Sequence, residues 1–97
     1  MSKLKFTQQA DTDLRSLERA KGLAKRLREV RKALGYLETN PRSQALNTHE
    51  FHSLKGTNNE KVFEAYAENI TTFAYRIFWQ NGPGKNVITI IAITPHP

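Results

Sequence analysis

Arg76 stands inside the run Tyr75-Arg76-Ile77-Phe78-Trp79, one charge among four residues that favour burial. An unpaired guanidinium is prohibitively costly to bury, so Arg76 must meet solvent, a carboxylate or a ligand. Side chains alternate along a strand, which gives Tyr75, Ile77 and Trp79 one face and Arg76, Phe78 and Gln80 the other. Trp79 is then a core residue, and Arg76 a group whose loss leaves the core intact. The preceding strand-like run presents Glu64, Tyr66 and Glu68 on one side, so Glu64, Tyr66, Arg76 and Gln80 could lie together on one open surface. Two readings of Arg76 stay open: an anion-binding cation, or a cross-strand ion pair with Glu64 or Glu68. The histidines His49, His52 and His96 add groups that hold or release a proton near neutral pH. His49 and His52 lie three apart in "HEFH", within an irregular polar stretch. That is not the helical i, i+4 spacing of a zinc protease, so no metal site is expected. No glycine-rich phosphate loop and no serine or cysteine nucleophile motif is visible, and "NGPGKN" reads as a hairpin turn.

The elements that must position these groups follow from periodicity. "KLKFT" alternates Leu4 and Phe6 with lysines, a short strand with one buried face. Thr7 is placed to cap a helix carrying Ala10, Leu14 and Leu17 at helical spacing. The pattern breaks near Gly22 and resumes with Leu23, Leu27, Val30, Leu34 and Leu37 until Pro41 stops it. This predicts a helical hairpin, mainly over residues 8–37. A long polar connector follows, with Leu54 and Phe51 as its expected anchors into the core. Three strand-like runs, "EKVFEAYAE", "FAYRIFWQ" and "VITIIAIT", then succeed one another with short turns, which predicts a meander. The expected fold class is α+β in the order β-α-α-β-β-β. An antiparallel sheet, joined by Leu4 or Phe6, carries the helical hairpin on one face and leaves the other open.

Charge separates the two halves. Between Leu14 and Lys32 eight basic residues stand against two acidic ones, a segmental charge of +6 that equals the formal net charge of the whole chain. Lys21, Lys25, Arg28 and Lys32 fall on a stripe roughly opposite the apolar one, a face suited to a polyanion or an acidic protein. The 97 residues read as a single domain. No apolar run approaches the roughly 20 residues of a membrane span, and the first residues lack the apolar core of a signal peptide. Cysteine is absent, which excludes disulfides and thiolate metal sites. A cytoplasmic protein with no cofactor, no metal and no membrane contact is expected.

The order strand, basic helical hairpin, "NP" stop, "LKG", then "AYRIFWQ" and a final apolar strand resembles the RelE/ParE superfamily of bacterial toxin–antitoxin toxins over nearly the whole chain. The resemblance implies a toxin bound by an acidic antitoxin, acting as a ribosome-dependent mRNA endonuclease. In RNA-cleaving members the arginine at the position of Arg76 contacts the scissile phosphate. In the YoeB branch the chain ends soon after the last strand on a catalytic histidine, where His96 stands here. That branch also carries a glutamate just before a Leu-Lys pair; here Leu54–Lys55 is preceded by His52, with Glu50 two residues further back. By this resemblance Glu50 or His52 is the base, Arg76 the cation and His96 the acid for cleavage by the 2′-hydroxyl. The binding groups are Lys55, Glu64, Tyr66 and Gln80 in the cleft and Lys25, Arg28 and Lys32 on the helix. Family enzymes usually present extra lysine or arginine on the strand before the key arginine, whereas this chain has Glu64, Tyr66 and Glu68. A gyrase-inhibiting ParE-like toxin, or a catalytically degenerate binding protein, is therefore the alternative.

Overall fold

A computed structural model describes residues 1–56, 59–68 and 73–95. The elements are β1 (Lys3–Phe6), α1 (Gln8–Arg19), α2 (Ala24–Thr39), a short 3-10 turn (Gln44–Leu46), β2 (His49–Lys55), β3 (Lys61–Tyr66), β4 (Tyr75–Asn81) and β5 (Val87–Pro95). They build one five-stranded sheet in the order β1-β5-β4-β3-β2. The α+β order is as expected, with two differences. Strands β2 to β5 form an antiparallel meander, but β1 joins β5 in parallel, because the helical hairpin intervenes between β1 and the rest of the sheet. And the connector contains β2, a strand with little apolar alternation whose pairing with β3 shifts register between Glu50 and Lys55.

Local chemistry explains the helical hairpin. The Thr7 hydroxyl accepts from the Ala10 amide at 3.1 Å and donates to the Ile91 carbonyl at 2.7 Å, so one side chain both caps α1 and ties it to β5. Gly22, at a φ of +82°, supplies the left-handed residue needed for the reversal into α2. Both helices lay apolar stripes on one sheet face. Ala10 and Leu17 of α1 and Val30, Ala33, Leu34 and Leu37 of α2 are buried with Ala65, Ile77, Trp79, Ile88, Ile90 and Ile93 of the sheet. Leu46 of the 3-10 turn anchors the connector, whereas Leu54 is exposed.

The pairing of β4 with β5 shifts register between Phe78 and Trp79: Phe78 faces Ala92 while Trp79 faces Ile90. This bulge changes the parity of β5, which lets Ile88, Ile90 and Ile93 all point into the same core. Helix α1 satisfies the backbone there, since Ile91 accepts from Thr7 and the Ile93 amide donates to Asp13 at 2.9 Å. The sheet face that carries Arg76 is thus fixed from behind by a continuous core.

Candidate functional site

On the face away from the helices, Tyr66 lies directly opposite Arg76 and Glu64 opposite Phe78. Arg76 and Glu64 are therefore diagonal neighbours, and Arg76 Nη1 donates to Glu64 Oε2 at 2.5 Å. Both side chains are well covered, with 14% of the arginine and 9% of the glutamate exposed. The guanidinium carbon lies 4.7 Å from the ring centre of Phe78 and 5.8 Å from that of Phe51, in cation–π range of both. Arg76 Nε is buried with no hydrogen-bond partner among the described residues. The Tyr66 hydroxyl also hydrogen-bonds to Glu64. Burial first, and then that bond and the charge of Glu64, push the Tyr66 hydroxyl above its usual pKa, partly offset by Arg76.

This face is not the open surface expected from alternation. Val62, Glu64, Tyr66, Phe78 and Gln80 are all buried. Part of the covering comes from β2. Phe51 packs edge-on against Phe78 at 4.8 Å, and Gly56 lies so close to the Gln80 side chain that a Cβ there would overlap its amide. Any side chain in place of the glycine of "LKG" would force the Gln80 amide to move.

The groups singled out in the connector separate. Glu50 pairs with Phe63, on the side of the sheet that faces the helices, and holds His52 Nδ1 at 3.3 Å and Lys61 Nζ at 3.9 Å. Neither Glu50 nor His52 is brought to Arg76. The histidine that shares the Arg76 face is His49: it pairs with Glu64, and its ring meets that of Tyr66 edge-on at 6.3 Å. Its place on this face could not be read beforehand, because the register of an irregular strand decides it. Lys55 is exposed at the end of β2. His96 lies outside the described residues. Among the described residues no group of three or more histidine or acidic side chains is placed to hold a metal ion.

Lys25, Arg28 and Lys32 are exposed on α2. Lys25 and Lys32 border an open cavity of about 430 Å³ whose other walls include Tyr36, Leu46, Tyr66 and Glu68. Tyr66 thus links this cavity to the Arg76–Glu64 pair.

Neither a family model nor a curated protein sequence matches the chain. Solved structures do. A YoeB/ParE toxin from Agrobacterium tumefaciens superposes with a TM-score of 0.71 over 100% of both chains, at 13% identity. The fold is that of the RelE/ParE toxins. An archaeal RelE–RelB complex from Pyrococcus horikoshii OT3 matches with a TM-score of 0.65 over 97% of this chain and 93% of the other, at 21% identity. A metal-bound toxin from Helicobacter pylori matches with a TM-score of 0.69 over 99% and 96%, at 18% identity. What the chain shares with these RelE/ParE structures at such identities is the arrangement of elements; its site chemistry stands on its own residues. Among the described residues no helix is long and apolar enough to cross a membrane.

Proposed function

We propose that the chain is the toxin of a type II toxin–antitoxin pair, acting as one domain in the cytoplasm and neutralised by an acidic antitoxin. Similar structures include the complexes of RelE with RelB and of YafQ with DinJ, which supports a partner protein. The exposed cations Lys25, Arg28 and Lys32 suit an acidic one. The finer reading is a ribosome-dependent mRNA endonuclease, and the observation that carries it is Arg76. Its guanidinium is held by a sheet, stacked on Phe78 and seated on the face away from the helices. A cation fixed in a poorly solvated site is suited to the charge that develops on a phosphate as the 2′-hydroxyl attacks. His49 is the histidine on the same face and is the better candidate for the base than Glu50 or His52. His96 remains the proposed acid, with Lys55, Tyr66 and Gln80 as the proposed binding groups and Glu64 as the residue that holds Arg76.

One observation favours a second reading. Glu64 already occupies Arg76, which suits a gyrase-inhibiting toxin or a non-catalytic RelE-fold binding protein that needs no phosphate there. Expression of the wild type, Arg76→Ala and His96→Ala, with growth curves and primer-extension mapping of mRNA ends, separates these readings. New mRNA ends that disappear in both variants support the nuclease. Toxicity without new ends supports the gyrase-type reading, and a folded but harmless wild type supports the binding protein.

A further inference from the structure

We propose that Glu64 is a built-in competitor for Arg76, so that the chain carries its anion site filled by its own carboxylate and takes up a phosphate group only once Glu64 is neutralised or displaced. The inference rests on the reading of Arg76 as the phosphate-contacting group. Three features of the site carry it.

The first is the contact itself. Glu64 Oε2 sits 2.5 Å from Arg76 Nη1, with only 9% and 14% of the two side chains exposed. Carboxylates and phosphates compete for the same guanidinium N–H groups, so a shielded carboxylate at this distance takes up an edge that a phosphate needs. The second is fixation of the cation. The rings of Phe78 and Phe51, at 4.7 Å and 5.8 Å, hold the guanidinium in place, so it does not swing away to a second anion while keeping the first. The third is fixation of the carboxylate. Glu64 accepts a bond from the buried Tyr66, which keeps it on Arg76 rather than turned to solvent. A phosphate arriving at Arg76 therefore meets a like charge that is poorly screened. Lys25 and Lys32, by contrast, are exposed, so solvent screens the charges around them. The latch is specific to the sheet face.

The test is titration of the full-length chain with inorganic phosphate, followed through the backbone amide ¹H–¹⁵N resonances of β4, which every variant retains. Glu64→Gln keeps the shape and an acceptor oxygen but removes the charge. It should bind phosphate at Arg76 at least tenfold more tightly than the wild type, and the gain should vanish when Arg76→Ala is added. Tyr66→Phe, which keeps the charge and frees its anchor, should give a smaller gain in the same direction, and it serves if Glu64→Gln does not fold. Equal or weaker phosphate binding by folded Glu64→Gln overturns the proposal. So does a gain that survives Arg76→Ala. The titration reads the anion site whether or not the chain is toxic. A harmless chain that shows the gain retains the latch and loses the toxin reading, and a toxic chain without the gain does the reverse.

Discussion

Removing the Arg76 side chain should be far more damaging than its place among exposed-face residues suggests. In Arg76→Ala the Glu64 carboxylate keeps its bond to Tyr66 and loses the cation it is paired with, in a site where 9% of its side chain is exposed. Deleting one member of a buried ion pair costs about 3–5 kcal/mol because a charge is left uncompensated. The residual exposure of both partners lets water reach the pair, which puts this case near the lower end, at about 3 kcal/mol. Loss of the guanidinium from the Phe78 ring adds about 0.5–1 kcal/mol. With a urea m-value of about 1.5 kcal/mol per molar, the denaturation midpoint should fall by about 2.5 M. The decisive measurement is a double-mutant cycle with Glu64→Gln, which removes the stranded charge. The double variant should recover much of the loss, with a coupling energy of about 2 kcal/mol. A midpoint drop below about 0.5 M, or strictly additive effects, would refute the account of Arg76 and Glu64 as a buried pair.

Trp79 is 5% exposed and stacks on Phe63 at 4.8 Å, so Trp79→Ala should cost about 3–5 kcal/mol in the same urea experiment, comparable with Arg76→Ala rather than far above it. The raised Tyr66 hydroxyl sets an alkaline limit: the folded state keeps a proton that the unfolded chain releases near pH 10.0, so stability is full below that value and declines as pH rises through it. Tyr66→Phe should flatten this decline, and parallel falls in wild type and variant would show that another group is responsible. Charge reversal at Lys25, Arg28 and Lys32 should weaken association with the acidic partner and reduce its salt dependence, measured by calorimetry at two ionic strengths; binding indifferent to both would remove α2 from the contact.

How much of this was legible in the sequence depends on whether the cue was local. The helical hairpin could be read because Leu23, Leu27, Val30, Leu34 and Leu37 repeat at helical spacing, and α2 then runs from Ala24 to Thr39. The faces of β4 followed from simple alternation, which puts Ile77 and Trp79 in the core and Arg76 beside Glu64. Two things were not local. The direction of β1 depends on its pairing with β5, and nothing in "KLKF" specifies a parallel neighbour. The character of the Arg76 face depends on β2, whose shifted register carries Phe51 onto Phe78 and Gly56 onto Gln80. A strand written as "HEFHSLK" has no clean alternation to announce itself, so the face read as open and Glu50 and His52 read as its neighbours. The side of Glu50 is fixed by its pairing with Phe63, and His52 Nδ1 lies 3.3 Å from the Glu50 carboxylate.

The parallel placement of β1 also has a consequence for how the molecule assembles. The four strands of the meander pair with sequence neighbours, whereas the bond from Thr7 to Ile91 spans 84 residues. Short-range pairings form early and long-range closures late, so β1 is expected to dock after the meander exists. Until then β5 is an edge strand, uncharged from Val87 to Thr94, with a free row of backbone donors and acceptors. Such an edge recruits other chains as readily as its own missing strand. When β1 arrives it replaces that edge with one bearing Lys3 and Lys5, whose charges discourage further strand addition. The four residues of β1 thus act as a terminator on that side of the sheet, and the interval before β1 docks is when the β5 edge is most open to pairing with another chain.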